Sequence, residues 1–311
     1  MWHGVINIYK EKGFTSHDVV AKLRGILGQK KIGHTGTLDP DAEGVLPVCL
    51  GKGTKLCDLL TEKDKTYEAV LLLGKTTDTL DISGQVLEEK DTEGITEEAV
   101  EKAVYSFQES YEQIPPMYSA LKIGGKKLYE LAREGITVER KARTVVIHEI
   151  TVLGMELPRI RFRVTCSKGT YIRSLCQDIG EKLGCGGCME SLLRTRVERF
   201  DIKESHTLSE VEAARDAGRL KEYIIPVDRM FDRYPAYMVL PEFEKAAFNG
   251  NSLPLHAAVI LPHVEKGTVQ ESAADKRIRL YDRQERFIGL YQPDEKNRQL
   301  RLIRMFRDPD E

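Results

Sequence analysis

The 311-residue chain lacks any long apolar run and any recognisable export signal. No stretch approaches the ~20 apolar residues that a membrane helix requires. The opening residues MWHGVINIYKEKG do not show a charged segment followed by an apolar one. The sequence therefore predicts a cytoplasmic protein without a membrane partner.

Cysteine is also sparse, and the six residues are scattered at positions 49, 57, 166, 176, 185 and 188. Because no export signal is present, we expect free thiols rather than disulfides. Cys185 and Cys188 form the one close pair, but Cys166 and Cys176 lie at no usual zinc-finger spacing. We therefore favour two small buried residues at a glycine-rich helix end over a metal or redox site.

A strong net charge is missing too, since the formal net charge is −2. The distribution is nevertheless uneven. Residues 114–143 carry seven Lys/Arg against three Asp/Glu, whereas residues 61–113 carry five against fourteen. A chain segregated in this way could present a basic face to a polyanion, although solvated strand and helix faces would give the same counts.

Neither a glycine-rich phosphate loop nor a regular strand–helix–strand alternation occurs, which argues against Rossmann and P-loop folds. Strand-like runs instead interleave irregularly with helical ones. Ser16 and Thr96 are candidate helix N-caps, and a further helix is expected after Thr207. The sequence predicts an α+β fold with a largely antiparallel mixed sheet and flanking helices. The expected strands include residues 4–10, 66–73, 144–153 and 159–166.

Beyond Tyr234 and Pro235 the chain changes to short strand-like runs separated by turns. This pattern is typical of a small β-barrel-like module. We therefore expect two domains, residues 1–235 and 236–311.

The stretch GHTGTLDPDAEGVLPV, residues 33–48, contains the most suggestive side chain, Asp39. Pro40 restricts the conformation of Asp39, so this loop can hold a carboxylate at a fixed angle. Three chemistries remain open: a glycosidase with paired carboxylates, a phosphotransferase using Asp39 and Asp41, or a lone aspartate acting on a sugar or base. A turn or capping role is an equally good interpretation of a loop aspartate.

Four blocks, in order, resemble the bacterial tRNA pseudouridine-55 synthases, the TruB family. The first is GHTGTLDPDAEGVLPV, whose GTLDP core is similar to the family signature. The others are KTYEAVLLLGKTTDTLDISGQV, PPMYSALKIGGKKLYELAREG and CSKGTYIRSLCQDIGEKLGCGG. The resemblance covers roughly residues 4 to 200, with a weaker likeness of the C-terminal module to RNA-binding PUA domains.

The resemblance implies a cofactor-independent and metal-independent isomerase that converts one uridine (U55) in the T-arm loop of tRNA to pseudouridine after flipping the base. It implies that Asp39 is the catalytic aspartate and that Arg173 pairs with it, keeping it ionised near neutral pH. It also implies that Tyr67 stacks on the flipped base and acts in the late proton removal from C5. Without the resemblance, Tyr67 and Arg173 are better interpreted as structural residues.

The resemblance further implies that His34 enters the vacated position in the RNA loop, and that Tyr171 and Leu192 line the base pocket. Leu193 stands where the family more often has an arginine, so the register at Leu192 can differ by one. Lys10 matches an N-terminal Lys-Pro-x-Gly block in which Glu11 replaces the proline. Further contacts to RNA are implied for Lys122, Arg143 and Lys168, within or beside the basic segments.

We expect the T-arm stem-loop of tRNA as partner and a monomeric enzyme. Two other functions remain open at this stage. One is a non-catalytic RNA-folding protein that uses the same surface, and the other is a Mg²⁺-dependent aspartyl phosphatase.

Overall fold

The computed structural model describes residues 1–261 and 276–307, and two β-sheets dominate it. The larger sheet has ten strands. Its strands are β1 (Gly4–Lys10), β2 (Ile32–His34), β3 (Glu43–Leu50), β4 (Lys65–Leu73), β7 (Glu109–Gln113), β10 (Arg143–Glu156), β11 (Arg159–Cys166), β12 (Gly187–Val197), β13 (Phe200–Asp201) and β14 (Ile224–Ile225).

The larger sheet has the order β14-β1-β3-β12-β4-β11-β10-β7, with β2 paired to β3 and β13 paired to β12. Its neighbouring strands pair antiparallel except β3 and β12, which are parallel. The largely antiparallel mixed sheet predicted from the sequence is therefore confirmed. Gly44 permits the parallel pair, since a Cβ at this position would lie 2.2 Å from the carbonyl oxygen of Arg194.

Two small hairpins complete the N-terminal part of the chain. One consists of β5 (Lys75–Thr77) and β6 (Val86–Glu89), and the other of β8 (Lys122–Ile123) and β9 (Lys126–Lys127). The second hairpin turns at Gly124 and Gly125, both of which have positive φ. It lies within the basic segment 114–143.

Seven α-helices flank the sheets within the described residues. They are α1 (Ser16–Leu27), α2 (Cys57–Thr61), α3 (Glu97–Tyr105), α4 (Leu128–Arg133), α5 (Ile172–Lys182), α6 (Leu208–Asp216) and α7 (Glu244–Phe248). Apolar residues of α1 and α6 pack on β1 and β3, and those of α3 and α5 pack on β4, β10 and β11. None of these helices is long and apolar enough to cross a membrane.

Thr96 caps α3 as predicted, since its side chain accepts a hydrogen bond from a first-turn backbone N–H. The helix expected after Thr207 is α6, and Thr207 caps it in the same way. At α1 the prediction of Ser16 as the N-cap is wrong. Thr15 caps this helix in a reciprocal capping box with Asp18. Ser16 is instead a buried first-turn residue whose hydroxyl oxygen accepts a hydrogen bond from the Leu38 N–H at 2.9 Å.

Within the described residues, the smaller sheet has six strands in the order β16-β20-β19-β18-β15-β17. It carries its own apolar cluster around Val239, Leu280 and Tyr291. Its strands are β15 (Ala236–Val239), β16 (Leu253–Pro254), β17 (Ala258–Ile260), β18 (Ile278–Tyr281), β19 (Phe287–Asp294) and β20 (Gln299–Met305). The predicted β-barrel-like module corresponds to this curled sheet. The division into domains 1–235 and 236–311 stays a prediction, and residues 262–275 and 308–311 lie outside the described part.

Candidate active site

The loop between β2 and β3, residues 35–42, carries Asp39 and is anchored through its backbone. The Leu38 N–H donates to the buried Ser16 hydroxyl. On the other side of Asp39, the Pro40 carbonyl accepts hydrogen bonds from the Gly13 N–H at 2.9 Å and from the Lys10 ammonium at 3.1 Å. Three hydrogen bonds thus fix the residues on either side of the carboxylate.

The Asp39 carboxylate forms an ion pair with Arg173, which extends from the first turn of α5. The Arg173 Nε lies 3.0 Å from Asp39 Oδ2. The arginine side chain is 7% exposed, whereas 41% of the Asp39 side chain is exposed. The pair therefore has one buried member that is fixed in place and one member that a bound molecule can reach.

Three further contacts hold the Arg173 guanidinium. Its Nη1 donates to the Thr79 carbonyl at 2.9 Å, and its Nη2 donates to the Tyr118 carbonyl at 2.7 Å. The Asp81 carboxylate lies 3.8 Å from Nη1. One arginine thus joins the Asp39 loop, the turn that follows β5 and the start of the basic segment.

The pKa of Asp39 is set by opposing influences. The surrounding protein desolvates the carboxylate and raises its pKa even though part of the side chain is exposed, and Asp81 adds to this rise. Arg173 lowers the pKa, as the family resemblance implies, but the net direction is upward because desolvation is the larger influence. The arginine therefore moderates the effect of burial on Asp39 without overriding it.

Tyr67 lies on β4 and is 7% exposed, packed in the same apolar cluster as Leu38 of the Asp39 loop. Leu192 of β12 packs against this cluster. In the pairing of β12 with β4, Leu192 is opposite Ala69 and Arg194 is opposite Tyr67, so all four side chains share one face. The structure therefore places Leu192, and not Leu193, on the face that carries Tyr67.

Burial raises the pKa of the Tyr67 phenol, and the guanidinium of Arg194 acts in the opposite direction. Arg194 is a fully buried residue that the sequence analysis did not single out. Strand alternation from Leu192 could have placed it on the buried face. Its charge argued for the surface instead.

Tyr171 is the N-cap residue of α5 and is half-buried. Gln113 of β7 fixes its backbone twice: the Tyr171 N–H donates to Gln113 Oε1 at 2.8 Å, and Gln113 Nε2 donates to the Tyr171 carbonyl at 3.0 Å. Gln113 is another buried polar residue that the sequence analysis missed. Its side chain orients the start of the helix that presents Arg173.

His34 ends β2, next to the Asp39 loop, and is half-buried. Its Nδ1 lies 3.2 Å from the Gly36 carbonyl oxygen, and its ring meets that of His17 edge-on at 5.2 Å between centroids. Burial lowers the pKa of His34, and the neighbouring His17 lowers it further. Both influences favour the neutral imidazole.

Lys10 occupies a different environment from the one expected of a residue that contacts RNA. Its side chain is fully buried, and its ammonium donates to the carbonyls of Glu11, Phe14 and Pro40 at 2.6–3.1 Å. Burial lowers its pKa to about 8. These contacts favour a role in holding the Asp39 loop over direct contact with a substrate.

The remaining basic residues singled out from the sequence, Lys122, Arg143 and Lys168, are all exposed. Lys122 lies on the β8–β9 hairpin, Arg143 begins β10, and Lys168 is ion-paired with Glu62. In the same segment Lys126 pairs with Glu134 at 3.2 Å, and Arg140 donates to the Pro115 carbonyl at 3.0 Å. Part of the basic segment is thus engaged within the protein, while Lys122 and Arg143 face solvent.

The six cysteines are free, and Cys185 and Cys188 are buried beside the end of α5, as the favoured interpretation predicted. Burial raises the pKa of the Cys188 thiol to about 11. Across residues 1–261 and 276–307, no three or more His, Cys, Asp and Glu side chains are grouped so that they could hold a metal ion.

Comparison with known proteins yields consistent matches. The family model "TruB family pseudouridylate synthase (N terminal domain)" matches residues 24–172, and "tRNA pseudouridylate synthase B C-terminal domain" matches residues 173–232. A tRNA pseudouridine synthase B from Lachnoclostridium phytofermentans is 53% identical over 98% of this chain and 99% of its own length. Another, from Clostridium kluyveri, is 43% identical over 97% of this chain and 99% of its own.

Solved structures give the same fold. A chain from "Crystal Structure of a Cbf5-Nop10-Gar1 Complex" is 26% identical with a TM-score of 0.70, and the match covers 99% of this chain and 86% of that one. A chain from "Structure of H/ACA RNP bound to a substrate RNA containing 2'-deoxyuridine" also has a TM-score of 0.70, at 24% identity and with the same coverage.

Proposed function

Because this chain belongs to the TruB family of pseudouridylate synthases, we propose that it isomerises the uridine at position 55, in the T-arm loop of tRNA, to pseudouridine. The reaction breaks the bond between N1 of uracil and C1′ of ribose and forms a bond between C5 and C1′. The proton on C5 is lost, and N1 gains one, so no atom is added or removed. The overall change is an isomerisation of tRNA.

The observation that carries this proposal is the Asp39–Arg173 pair, in which a partly exposed carboxylate is held at 3.0 Å by a buried guanidinium. Asp39 is the catalytic carboxylate. It either attacks C1′ or acts through a glycal. Arg173 supports the charged form of the carboxylate and fixes its direction.

The target uridine must leave the RNA stack to reach Asp39, because bases in a folded loop shield their own glycosidic bonds. Tyr67 forms the wall on which the flipped uracil stacks, and it takes part in removing the C5 proton. Tyr171 and Leu192 complete the pocket. His34, neutral and beside the Asp39 loop, fills the space that the base vacates.

The exposed cations supply the contacts with RNA phosphates. Lys122 and Arg143 lie in the basic segment, whose first residues touch Arg173 through the Tyr118 carbonyl. Lys168 lies just before α5, and it reaches a phosphate by exchanging its Glu62 partner. Phosphate contacts of this kind set affinity, whereas the flipped base sets specificity.

The test incubates an unmodified tRNA transcript with the enzyme. The positions of pseudouridine are then mapped by mass spectrometry or carbodiimide modification. We expect a single new pseudouridine at position 55, and none in a matched transcript that has cytidine at that position. Pseudouridine at another position would overturn the assigned site. The absence of any pseudouridine would overturn the proposed activity.

A further inference from the structure

Arg194 is a buried cation in the active-site region that the proposed reaction does not use. Its side chain is 1% exposed, and it lies on β12 between Tyr67 of β4 and Gly44 of β3. Taking a guanidinium out of water is unfavourable unless carboxylates or hydrogen bonds compensate. The contacts that compensate here show what the residue holds together.

Two backbone carbonyls accept hydrogen bonds from Arg194. The Nε donates to the Val45 carbonyl at 2.7 Å, and the Nη1 donates to the Thr37 carbonyl at 3.5 Å. No Asp or Glu carboxylate among the described residues forms a salt bridge with it. Thr37 and Val45 flank the segment that contains Asp39, so one guanidinium joins both ends of the catalytic loop.

The neighbouring ionisable side chains are mostly cationic. Lys10 and Lys65 are buried nearby, and each has its pKa lowered to about 8, to which the charge of Arg194 contributes. The phenol of Tyr67, on the residue opposite Arg194 in the β12–β4 pair, partly offsets the fall in the pKa of the guanidinium that burial causes. The second terminal nitrogen, Nη2, makes no hydrogen bond of good geometry in the described structure. Nη2 is therefore the terminal nitrogen available to the Tyr67 oxygen, since Tyr67 is opposite Arg194 in the β12–β4 pair.

We propose that Arg194 is a positioning residue of the active site, which fixes the Asp39 loop through the carbonyls of Thr37 and Val45 and holds the Tyr67 phenol in register with it. This inference rests on the proposed function. The planar guanidinium donates to two carbonyls, one on each side of Asp39, and keeps Nη2 for the Tyr67 oxygen on a third chain segment. A lysine at this position keeps the charge but cannot span all three.

The test measures pseudouridine formation in single turnovers, with enzyme in excess over an unmodified tRNA transcript, so that binding and chemistry separate. We expect Arg194→Lys to lower the saturating rate by roughly 100-fold, because misplacing reacting groups by about 1 Å has an effect of this size. The Kd for the transcript should stay within about twofold of wild type, since Arg194 is too buried to touch RNA.

The matched control is Arg279→Lys. Arg279 is also fully buried and also donates its Nε to a carbonyl, that of Tyr234 at 2.8 Å, but it lies in the smaller sheet. We expect this variant to lose thermal stability as Arg194→Lys does and to keep the single-turnover rate within about twofold. A comparable loss of rate in Arg279→Lys would show that the effect is general destabilisation, and it would overturn the proposal.

A double-mutant cycle with Tyr67→Phe separates positioning from a purely structural role. If Arg194 acts partly through the Tyr67 oxygen, Arg194→Lys should lower the rate much less in the Tyr67→Phe background than in wild type. If Arg194→Lys lowers the rate by the same factor in both backgrounds, this part of the proposal is overturned. A wild-type rate in Arg194→Lys, while wild type makes pseudouridine, would overturn all of it and leave the proposed function intact.

Folding is checked by thermal melting and by the transcript Kd of each variant. Arg194→Gln, which keeps N–H donors but loses the charge, is measured in parallel. If neither Arg194 variant folds while Arg279→Lys does, Arg194 is a folding residue and the proposal is overturned. If wild type itself forms no pseudouridine, the proposed function has failed rather than this inference.

Discussion

The Asp39 loop and the basic segment 114–143 are held in opposite ways. The loop is anchored by buried groups: Ser16 at Leu38, Lys10 at Pro40, and Arg194 at Thr37. The basic segment presents exposed cations, and its Gly124–Gly125 turn has open space where side chains would lie. The difference is the one expected between a catalytic loop and a phosphate-binding surface. A reacting group must be held in a fixed position, whereas a cation that contacts a phosphate needs only to be exposed.

The two regions are nevertheless connected at one point. The first residues of the basic segment are tied to α5, because Arg173 donates to the Tyr118 carbonyl and the Ser174 hydroxyl donates to the Ile114 carbonyl at 2.9 Å. The residue that pairs with Asp39 therefore also sets the start of the segment that would grip RNA. Substitutions in the two regions test whether the Asp39 loop determines the rate and the basic segment determines the affinity for RNA.

Among the substitutions that only reduce the rate, the largest loss is expected at Arg173, which connects the two regions. Arg173→Lys removes the fork that reaches Asp39, Thr79 and Tyr118 together, so the saturating single-turnover rate should fall by about 100-fold or more. The Kd for tRNA should change little, because the side chain is 7% exposed. A loss of affinity that matches the loss of rate would show that the two regions do not divide chemistry from binding.

A smaller effect is expected from the loop anchor. Ser16→Ala leaves the buried Leu38 N–H without its acceptor, which should lower stability by about 1–3 kcal/mol. We expect the rate to fall by roughly tenfold, as the residue before Asp39 loses its fixed position. Denaturant unfolding and single-turnover rates measure the two effects, with Ser205→Ala, in a turn after β13, as the control. An unchanged rate at reduced stability would mean that the loop keeps its geometry without this anchor.

Substitutions in the basic segment should affect tRNA binding and leave the rate unchanged. Lys122→Ala combined with Arg143→Ala should weaken tRNA binding by roughly tenfold and reduce its salt dependence, with the saturating rate unchanged. Binding titrations at several salt concentrations measure this. The exposed pair Arg219 and Glu222, which follows α6, offers a control, since Arg219→Ala also removes a surface cation. If the control variant weakens tRNA binding as much as the double variant does, the basic segment is not part of the RNA-binding surface.

The smallest expected effect is a pH dependence of stability. The pKa of Lys10 is lowered to about 8 by burial, so between about pH 8 and pH 10 the unfolded chain binds more protons at this position than the folded one. The free energy of unfolding of wild type, measured relative to that of Lys10→Met, should therefore rise over this range by an amount on the order of 1 kcal/mol. The exposed Lys12→Met should show no such rise. A difference between wild type and Lys10→Met that stays flat with pH would contradict the assigned burial.

Much of the fold was readable from the sequence, because its signals are local. The strand-like runs at 66–73 and 159–166 correspond to β4 and β11, Thr96 was correct as a cap, and the helix expected after Thr207 is α6. At α1 the sequence offered two adjacent hydroxyls, and Thr15 is the cap because Asp18 lies three residues after it, whereas Ser16 is buried against the Asp39 loop. That choice depends on a contact 22 residues away, which no local pattern records.

Resemblance to known signatures drew attention to Asp39, Tyr67 and Arg173, and the structure brings Arg173 to Asp39. Arg194, Gln113 and the burial of Lys10 were not predicted. Each of these polar side chains is buried because it bonds to backbone carbonyls or N–H groups of distant segments. Charge and polarity alone argue for the surface, so only the assembled fold shows such partners.

The most direct test of the account is Asp39→Asn, assayed for tRNA binding and for pseudouridine formation in the same preparation. The amide is nearly isosteric but cannot act as a nucleophile or base. We expect no detectable pseudouridine and a Kd within about twofold of wild type, because in the proposed function the carboxylate acts on the sugar or base while other residues bind the RNA. Pseudouridine formation at the wild-type rate by Asp39→Asn would contradict the account.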